Sequence, residues 1–404
     1  MVDKKIKILW LSDSPLTSTG YGTMTLNILN GMTEKGIECH CICHNQPGQT
    51  LKPGIKFMDD TEIKFHLHGA GVERYSKDKV KYLLQELKPD YFVTLLDTFM
   101  ITEAGFLGMN FSPAKSIFYF PSDGEDQLPL SCEKLFTSGT YQYPIAMAKF
   151  GQQQVKKAHN IDALYIPHAV KHKLFRPYND KEKVKNRLKW SNKLGVDLSK
   201  KQIIGTVARN QGRKMMDRMI PIMKLIAAKN ENAVMLMHTD PFDRAGYFDM
   251  MYEIKKHNLE NKFIFTGLNF LNPYTYTELS EIYNLMDIFL LTTTGEGFGV
   301  PIIEAMSCKV PCVVTDYTTT KELVLDHNSG LGIIVSAEIM GTWNVKRGVC
   351  DIEDGANKCL FLLSNDKLRT NMGENGRKAV LKYYTWDKVL KDWYKLFNKL
   401  KGDY

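Results

Sequence analysis

The stretch Thr292–Asp316, TTTGEGFGVPIIEAMSCKVPCVVTD, decides how this chain is read. Just before it, DIFLLTT (Asp287 to Thr293) is apolar and bounded by turn formers, which predicts a buried strand. Gly295, Gly297 and Gly299 allow a tight turn and leave bare backbone for a ligand to approach. Pro301 suits the first turn of a helix, where its missing N–H costs nothing. PIIEAMSC then predicts a short helix and VPCVVTD a second buried strand. The unit is strand, glycine loop, helix, strand. Free N–H groups at the start of the helix make a natural anion site. Two carboxylates accompany that site, Glu296 in the loop and Glu304 about one turn into the helix. A carboxylate beside an anion pocket needs a reason, and hydrogen bonding to sugar hydroxyls is one.

Outward from this segment the same alternation continues. QIIGTVA, a helix from about Lys214, AVMLMHT, KFIFTG and YTELSEIYNLM precede it. The first half alternates too: IKILWLSD, a helix YGTMTLNILNGMTEKG, IECHCIC, a helix KDKVKYLLQELKPD, YFVTLLD and KSIFYFPSD, with KLFTSG and ALYIPHAV as the last two expected strands. This predicts an α/β fold of two doubly wound parallel sheets. The expected division is a first Rossmann-like domain over 1–170, a polar linker over 171–200 and a second Rossmann-like domain over 201–385. The helix 386–404 carries Trp386, Val389, Leu390, Trp393, Leu396, Phe397 and Leu400 on one stripe. On physics alone it docks equally well on its own domain or back on the first.

Length and composition agree. The 404 residues, 44% apolar, suit two domains. No run of about 18 apolar residues predicts a membrane span. The charged start MVDKKIKILWLSDS enters a strand directly, so the expected location is the cytoplasm, with the inner face of the membrane allowed. None of the eight cysteines forms a C-x-x-C pair. ECHCICH alternates Cys39, Cys41 and Cys43 against His40 and His44; adjacent strand positions diverge, which favours a core strand over a zinc site. The net charge of +8 permits anionic substrates, membranes or nucleic acid and chooses none of them.

Four further stretches sit at predicted strand ends. LTSTGYGTMTLN has Gly20, Tyr21 and Gly22 where the first strand meets the first helix. It lacks a full G-x-G-x-x-G, so a loop that positions a substrate is preferred to a dinucleotide site. ARNQGRKMMD offers Arg209 and Lys214 as phosphate cations. YFPSDGEDQLP clusters Asp123, Glu125 and Asp126, as a surface turn or a sugar contact. HTDPFD places His238, read chiefly as a packing histidine. No strict D-x-D occurs.

GEGFGVPIIEAMSCKVPCVVTD resembles the Glu-x7-Glu signature of retaining GT-B glycosyltransferases, specifically glycosyltransferase family 4. IPHAVKHKLFRPY, VARNQGRK, FIFTGLN, LSEIYNLMDIFLLTT and TTTKELVLDHNSGLGIIV are similar to further segments of that family, in order, while the first half matches less tightly. The resemblance implies a GT-B fold, two Rossmann-like domains facing across a cleft, the first binding acceptor and the second donor. It implies a retaining hexosyltransferase that uses a UDP- or GDP-linked sugar as donor substrate, with no cofactor and no required metal. The acceptor would be a glycan, a lipid or another macromolecule, with peripheral membrane contact allowed and nucleic acid disfavoured. Arg209 and Lys214 would bind the diphosphate, Glu296 the donor sugar and Glu304 the ribose hydroxyls, with Gly297, Phe298, Gly299 and Val300 lining sugar and phosphate. Many members have a histidine near the sugar from the first domain; Asp123 would lie in that region as a catalytic candidate, and Gly20, Tyr21 and Gly22 would form an acceptor or sugar loop. The C-terminal helix would cross back to the first domain. Lys309 replaces a usual glycine and His168 a common asparagine. The competing readings are a nucleotide-sugar epimerase of the same fold and a non-catalytic nucleotide-sugar-binding protein.

Overall fold

The computed structural model describes residues 5–17, 19–57, 61–125, 130–243, 245–268, 274–341 and 344–401. The chain forms two compact units: 1–169 with 341–345 and 386–404, and 170–340 with 346–385.

The first unit is built on a seven-stranded sheet. Its strands are β1 (Lys7–Ser12), β2 (Glu38–Cys43), β5 (His66–Gly69), β6 (Tyr91–Leu95), β7 (Lys115–Phe120), β8 (Tyr143–Ala146) and β9 (Leu164–Tyr165); a separate small hairpin pairs β3 (Ile55–Phe57) with β4 (Thr61–Ile63). The order is β5-β2-β1-β6-β7-β8-β9, parallel throughout. The central strands β1, β6 and β7 are largely apolar and buried, as a parallel sheet covered on both faces requires. KLFTSG, expected as a strand, is instead the end of helix Leu130–Thr137. Leu135 and Phe136 turn one face of that helix into the core, and the strand comes later, at β8.

The amphipathic C-terminal helix, Trp386–Lys401, packs on this unit. Trp393 meets Trp10 of β1 edge-on at 5.5 Å and Tyr119 of β7 at 5.1 Å. The Tyr91 hydroxyl donates to the Phe397 carbonyl (2.7 Å), and Lys115 Nζ to that of Leu400 (2.5 Å). Helix Gly20–Glu34 approaches so closely that a Cβ on Gly31 would lie 2.4 Å from Leu390. His40 sits in a histidine group, 3.0 Å from His68 and stacked on His66, and burial pushes His40 below the usual imidazole range.

The second unit has a six-stranded parallel sheet: β10 (Gln202–Val207), β11 (Ala233–His238), β12 (Phe263–Phe265), β13 (Ile288–Leu291), β14 (Cys312–Thr315) and β15 (Gly330–Ile333), in the order β12-β11-β10-β13-β14-β15. A two-stranded ribbon, β16 (Val335–Met340) with β17 (Lys346–Cys350), follows. In both sheets the chain starts in the middle, winds one way, then returns to wind the other. The reversal falls between β1 and β6 in one unit and between β10 and β13 in the other, and α/β sheets bind ligands at the carboxyl ends of such strands.

The polar segment 171–200, expected as a linker, holds helix Asp180–Leu194 and belongs to the second unit. A capping box of Asn179 and Glu182 starts it and Gly195 (φ 66°) ends it. Trp190 is fully buried and its Nε1 donates to Glu281 (3.0 Å). Among the described residues, no helix is long and apolar enough to cross a membrane.

Candidate functional site

At the switch point of the second unit two loops meet, one after β10 and one after β13. Three threonines join them. Thr292 Oγ1 donates to the carbonyls of Lys214 (3.1 Å) and Met215 (2.8 Å). Thr293 Oγ1 and the Thr294 amide both donate to the Arg213 carbonyl (3.2 and 2.7 Å). The Arg213 and Lys214 carbonyls are thus taken by threonines, while that of Met215 also accepts the Arg218 amide (3.1 Å) in a 3-10 turn. The helix expected from about Lys214 begins only at Met219, after two 3-10 turns at Gly212–Lys214 and Met216–Arg218, with Met215 at φ 45° between them.

This junction brings Glu296 against two cations. Lys214 Nζ lies 2.6 Å from Oε1, and Arg213 Nη1 lies 3.0 Å from Oε2 and 3.3 Å from the Gly295 carbonyl. Glu296 is 3% exposed and Lys214 7%. Burial alone would push the carboxyl up, but Arg213 and Lys214 outweigh it and hold Glu296 down to about 2. The loop is fastened from the other side as well. The Glu296 amide donates to Thr318 Oγ1 (3.0 Å), and Thr319 Oγ1 donates to the carbonyls of Glu296 and Phe298 (both 2.9 Å). Thr318 does this at φ 56°, a conformation uncommon for a β-branched residue and one that tends to gather at functional sites. Two cations against one carboxylate leave a surplus of positive charge beside a helix N-terminus.

That helix is Val300–Ser307, with Gly299 as N-cap at φ 102° and Pro301 in its first turn. Gly297 is half-buried; Phe298 is buried with its ring 5.9 Å from Tyr384. Glu304 faces a different setting from Glu296. It is buried and accepts a hydrogen bond from the Tyr283 hydroxyl at 2.8 Å. Burial pushes its carboxyl up to about 7, and the Tyr283 bond offsets this only in part.

Arg209 does not join the group at Glu296. Its guanidinium pairs with Asp243 (Nε 2.6 Å, Nη2 3.3 Å), and its side chain is 55% exposed. His238 is a packing residue: its Nδ1 is 2.9 Å from Thr266 Oγ1, Tyr274 stands beside it, and burial lowers it to about 4. Lys309 adopts φ 61°, the left-handed conformation for which glycine is suited, and its amine pairs with Glu374 (2.5 Å).

In the first unit, Gly20, Tyr21 and Gly22 form the first turn of a helix rather than a free loop, because Thr19 Oγ1 caps the Gly22 amide. The Tyr21 hydroxyl donates to Asp97 at 2.6 Å, with Asp123 and Asp13 nearby in the same unit; burial and these carboxylates raise Tyr21 well above the usual phenol range. Asp123 is half-buried just past β7, and Asp126 lies outside the described residues. His168 is buried beside Tyr119 and Met147 and held neutral, down to about 3, by that burial. Among the described residues no group of three or more histidine, cysteine or acidic side chains is arranged to hold a metal.

Sequence reasoning missed Arg213, Asp97, Tyr283 and the threonine fastenings. Arg213 was visible as the neighbour of Lys214; nothing in the sequence said which of the two arginines would turn toward Glu296.

Residues 186–379 match the family model described as glycosyl transferases group 1. A poly(ribitol-phosphate) alpha-N-acetylglucosaminyltransferase from Staphylococcus aureus is 28% identical over 197 residues, 49% of this chain and 35% of its own length. The chain spans less than half the length of the first curated relatives it matches. Among solved structures, a sucrose-phosphate synthase from Thermosynechococcus elongatus superposes with a TM-score of 0.75 at 15% identity, covering 99% of this chain and 100% of that one. HepE of Anabaena, in complex with UDP and glucose, gives 0.70 at 13% identity, covering 98% and 100%. These likenesses show the fold, the GT-B class expected from the sequence.

Proposed function

We propose that the chain is a glycosyltransferase, a reading supported by the match of residues 186–379 to the family model described as glycosyl transferases group 1. It moves a hexose from a UDP- or GDP-linked sugar to a hydroxyl acceptor, with retention, as a member of glycosyltransferase family 4. The observation that carries this reading is the buried Glu296 held between Lys214 and Arg213 at the switch point of the second sheet.

The chemistry follows the charges. Departure of the nucleotide puts negative charge on the diphosphate. Lys214 and the helix start after Gly299 stabilise it, and Arg209 joins by exchanging Asp243 for phosphate. The preorganised loops limit reorganisation as that charge develops. Glu296 stays ionised, so it accepts hydrogen bonds from the sugar hydroxyls and favours the cationic character that grows on the ring. Glu304 accepts from the ribose hydroxyls with the oxygen that Tyr283 leaves open. Attack on the face that the nucleotide leaves gives retention, with the departing phosphate taking the acceptor proton. The second unit is the donor side and the first the acceptor side, where Tyr21, Asp97 and Asp123 supply polar contacts. UDP is the first donor nucleotide to test, because HepE is solved with UDP and glucose.

The test is a thermal-shift panel with UDP, GDP, ADP, dTDP and NAD, followed by turnover with the matching nucleotide sugars. A ligand held at 100 times its dissociation constant stabilises a fold by about 2.7 kcal/mol. A shift with UDP or GDP alone supports the reading and selects the donors to assay. A shift with NAD alone, or with no diphosphate, sinks it. Release of nucleotide without transfer to any hydroxyl acceptor, accompanied by inversion of a sugar centre, would make the protein an epimerase instead.

A further inference from the structure

We infer that Arg213 is a positioning residue for Glu296: with Lys214 it clamps the carboxylate, one cation to each oxygen, and so fixes the direction in which Glu296 meets the donor sugar. The inference rests on the glycosyltransferase reading of this site.

Three observations carry it. The first is the division of labour at the carboxylate. Lys214 Nζ takes Oε1 at 2.6 Å and Arg213 Nη1 takes Oε2 at 3.0 Å. A single ammonium is a point charge that leaves the carboxylate free to rotate about its own axis. A second donor on the other oxygen removes that freedom, and a planar guanidinium does so at a set angle. The second is that Arg213 is itself held. Its Nη1 also donates to the Gly295 carbonyl (3.3 Å), and its own carbonyl accepts from the Thr294 amide and from the hydroxyls of Thr293 and Thr294. Loop β10–Met219 and loop β13–Val300 are thus joined through this residue at both its backbone and its side chain. The third is the contrast with Arg209. That residue is four positions earlier in the same loop, is more exposed (55% against 32% for the side chain) and is engaged by Asp243. Two arginines from one loop therefore have different partners, and only Arg213 reaches the glutamate.

A clamp of this kind acts on the reacting geometry more than on donor affinity. Misplacement of a catalytic group by about 1 Å can cost on the order of a hundredfold in rate. The experiment measures kcat and donor KM for the full chain and for Arg213→Gln and Arg213→Lys. Unfolding equilibria are measured in parallel for Arg213→Gln, Glu296→Gln and the double variant. The expected result is a loss of at least tenfold in kcat for Arg213→Gln with donor KM changed less than threefold, partial recovery in Arg213→Lys, and non-additive unfolding constants that couple the two positions at least threefold. A rise in KM with kcat unchanged would overturn the positioning role and make Arg213 an ordinary phosphate contact. Additive unfolding constants would overturn the clamp itself. The unfolding cycle needs no substrate: if the wild-type chain turned over no nucleotide sugar but the two positions still coupled, the functional reading would fail while the clamp stood, and the positioning role would be overturned with that reading.

Discussion

Glu296 and Glu304 lie eight residues apart, both are buried, and their surroundings push them in opposite directions. Glu296 sits in a loop between two cations and is held ionised, down to about 2. Glu304 sits in a helix against one neutral phenol and is pushed up to about 7. A buried carboxylate keeps its charge only where opposite charge compensates the lost hydration. The comparison teaches that a spacing of two glutamates specifies nothing about their charge; the elements packed against each one do.

The largest effect should come from breaking the Glu296 side. Lys214→Ala leaves Glu296 buried with one cation. It should cost about 3 kcal/mol in stability, read by urea unfolding, and lower turnover at least tenfold. Near-wild-type turnover in the folded variant would remove Lys214 from the mechanism.

The pH dependence sharpens the contrast. Between the ordinary value of 4.5 and about 7, native Glu304 binds a proton that the unfolded chain has released. Its contribution is full below 4.5 and is lost as pH rises to about 7, a window worth about 3 kcal/mol at 1.36 kcal/mol per pH unit. Glu296 has the opposite sign: its contribution is present above 4.5 and is lost as pH falls toward about 2. Urea titrations at pH 5 and pH 8 should differ in the wild type, and Glu304→Gln should abolish the part of that difference that comes from Glu304. An unchanged difference would place the titrating group elsewhere.

Tyr283→Phe should be smaller. It removes the bond to Glu304, costs about 1 kcal/mol and raises the Glu304 carboxyl further, so nucleotide affinity near neutral pH should fall. Equal affinity in the variant would separate Tyr283 from the ribose site. Smallest of all, Asp243→Ala should change stability by less than about 1 kcal/mol, because the Arg209 side of its ion pair is exposed to solvent. If Arg209 is freed for phosphate, the same variant should bind diphosphate more tightly in calorimetry; weaker binding would mean that Asp243 positions the arginine instead.

Much of the fold was legible. Short apolar runs such as IFLL and CVVT, bounded by turn formers, read as buried strands, and the glycine loop with Pro301 marked a helix start. Two elements were misread for definable reasons. The helix Asp180–Leu194 hides in a charged run because only Trp190 and Asn186 of it are buried, and its stability comes from caps and a few long-range bonds. KLFTSG looks extended by propensity, yet Leu135 and Phe136 are adjacent on the buried face of a helix. Lys309 shows a third limit: its left-handed backbone belongs to the turn it occupies, which a lysine does not announce.

By itself the sequence determined the alternation of strands and helices, the pair of parallel sheets, and the presence of a glycine-bounded carboxylate beside a helix start. Those depend on local periodicity and turn chemistry, which neighbouring residues settle among themselves. Only the tertiary structure decided that Arg213 rather than Arg209 meets Glu296, that Tyr283 meets Glu304, and that Thr292, Thr293 and Thr294 bind the loop after β10. The loop pairings join groups 77 to 83 residues apart because sheet order brings β10 beside β13, whereas the Tyr283–Glu304 pair, 21 residues apart, comes from the packing of the helices before and after β13.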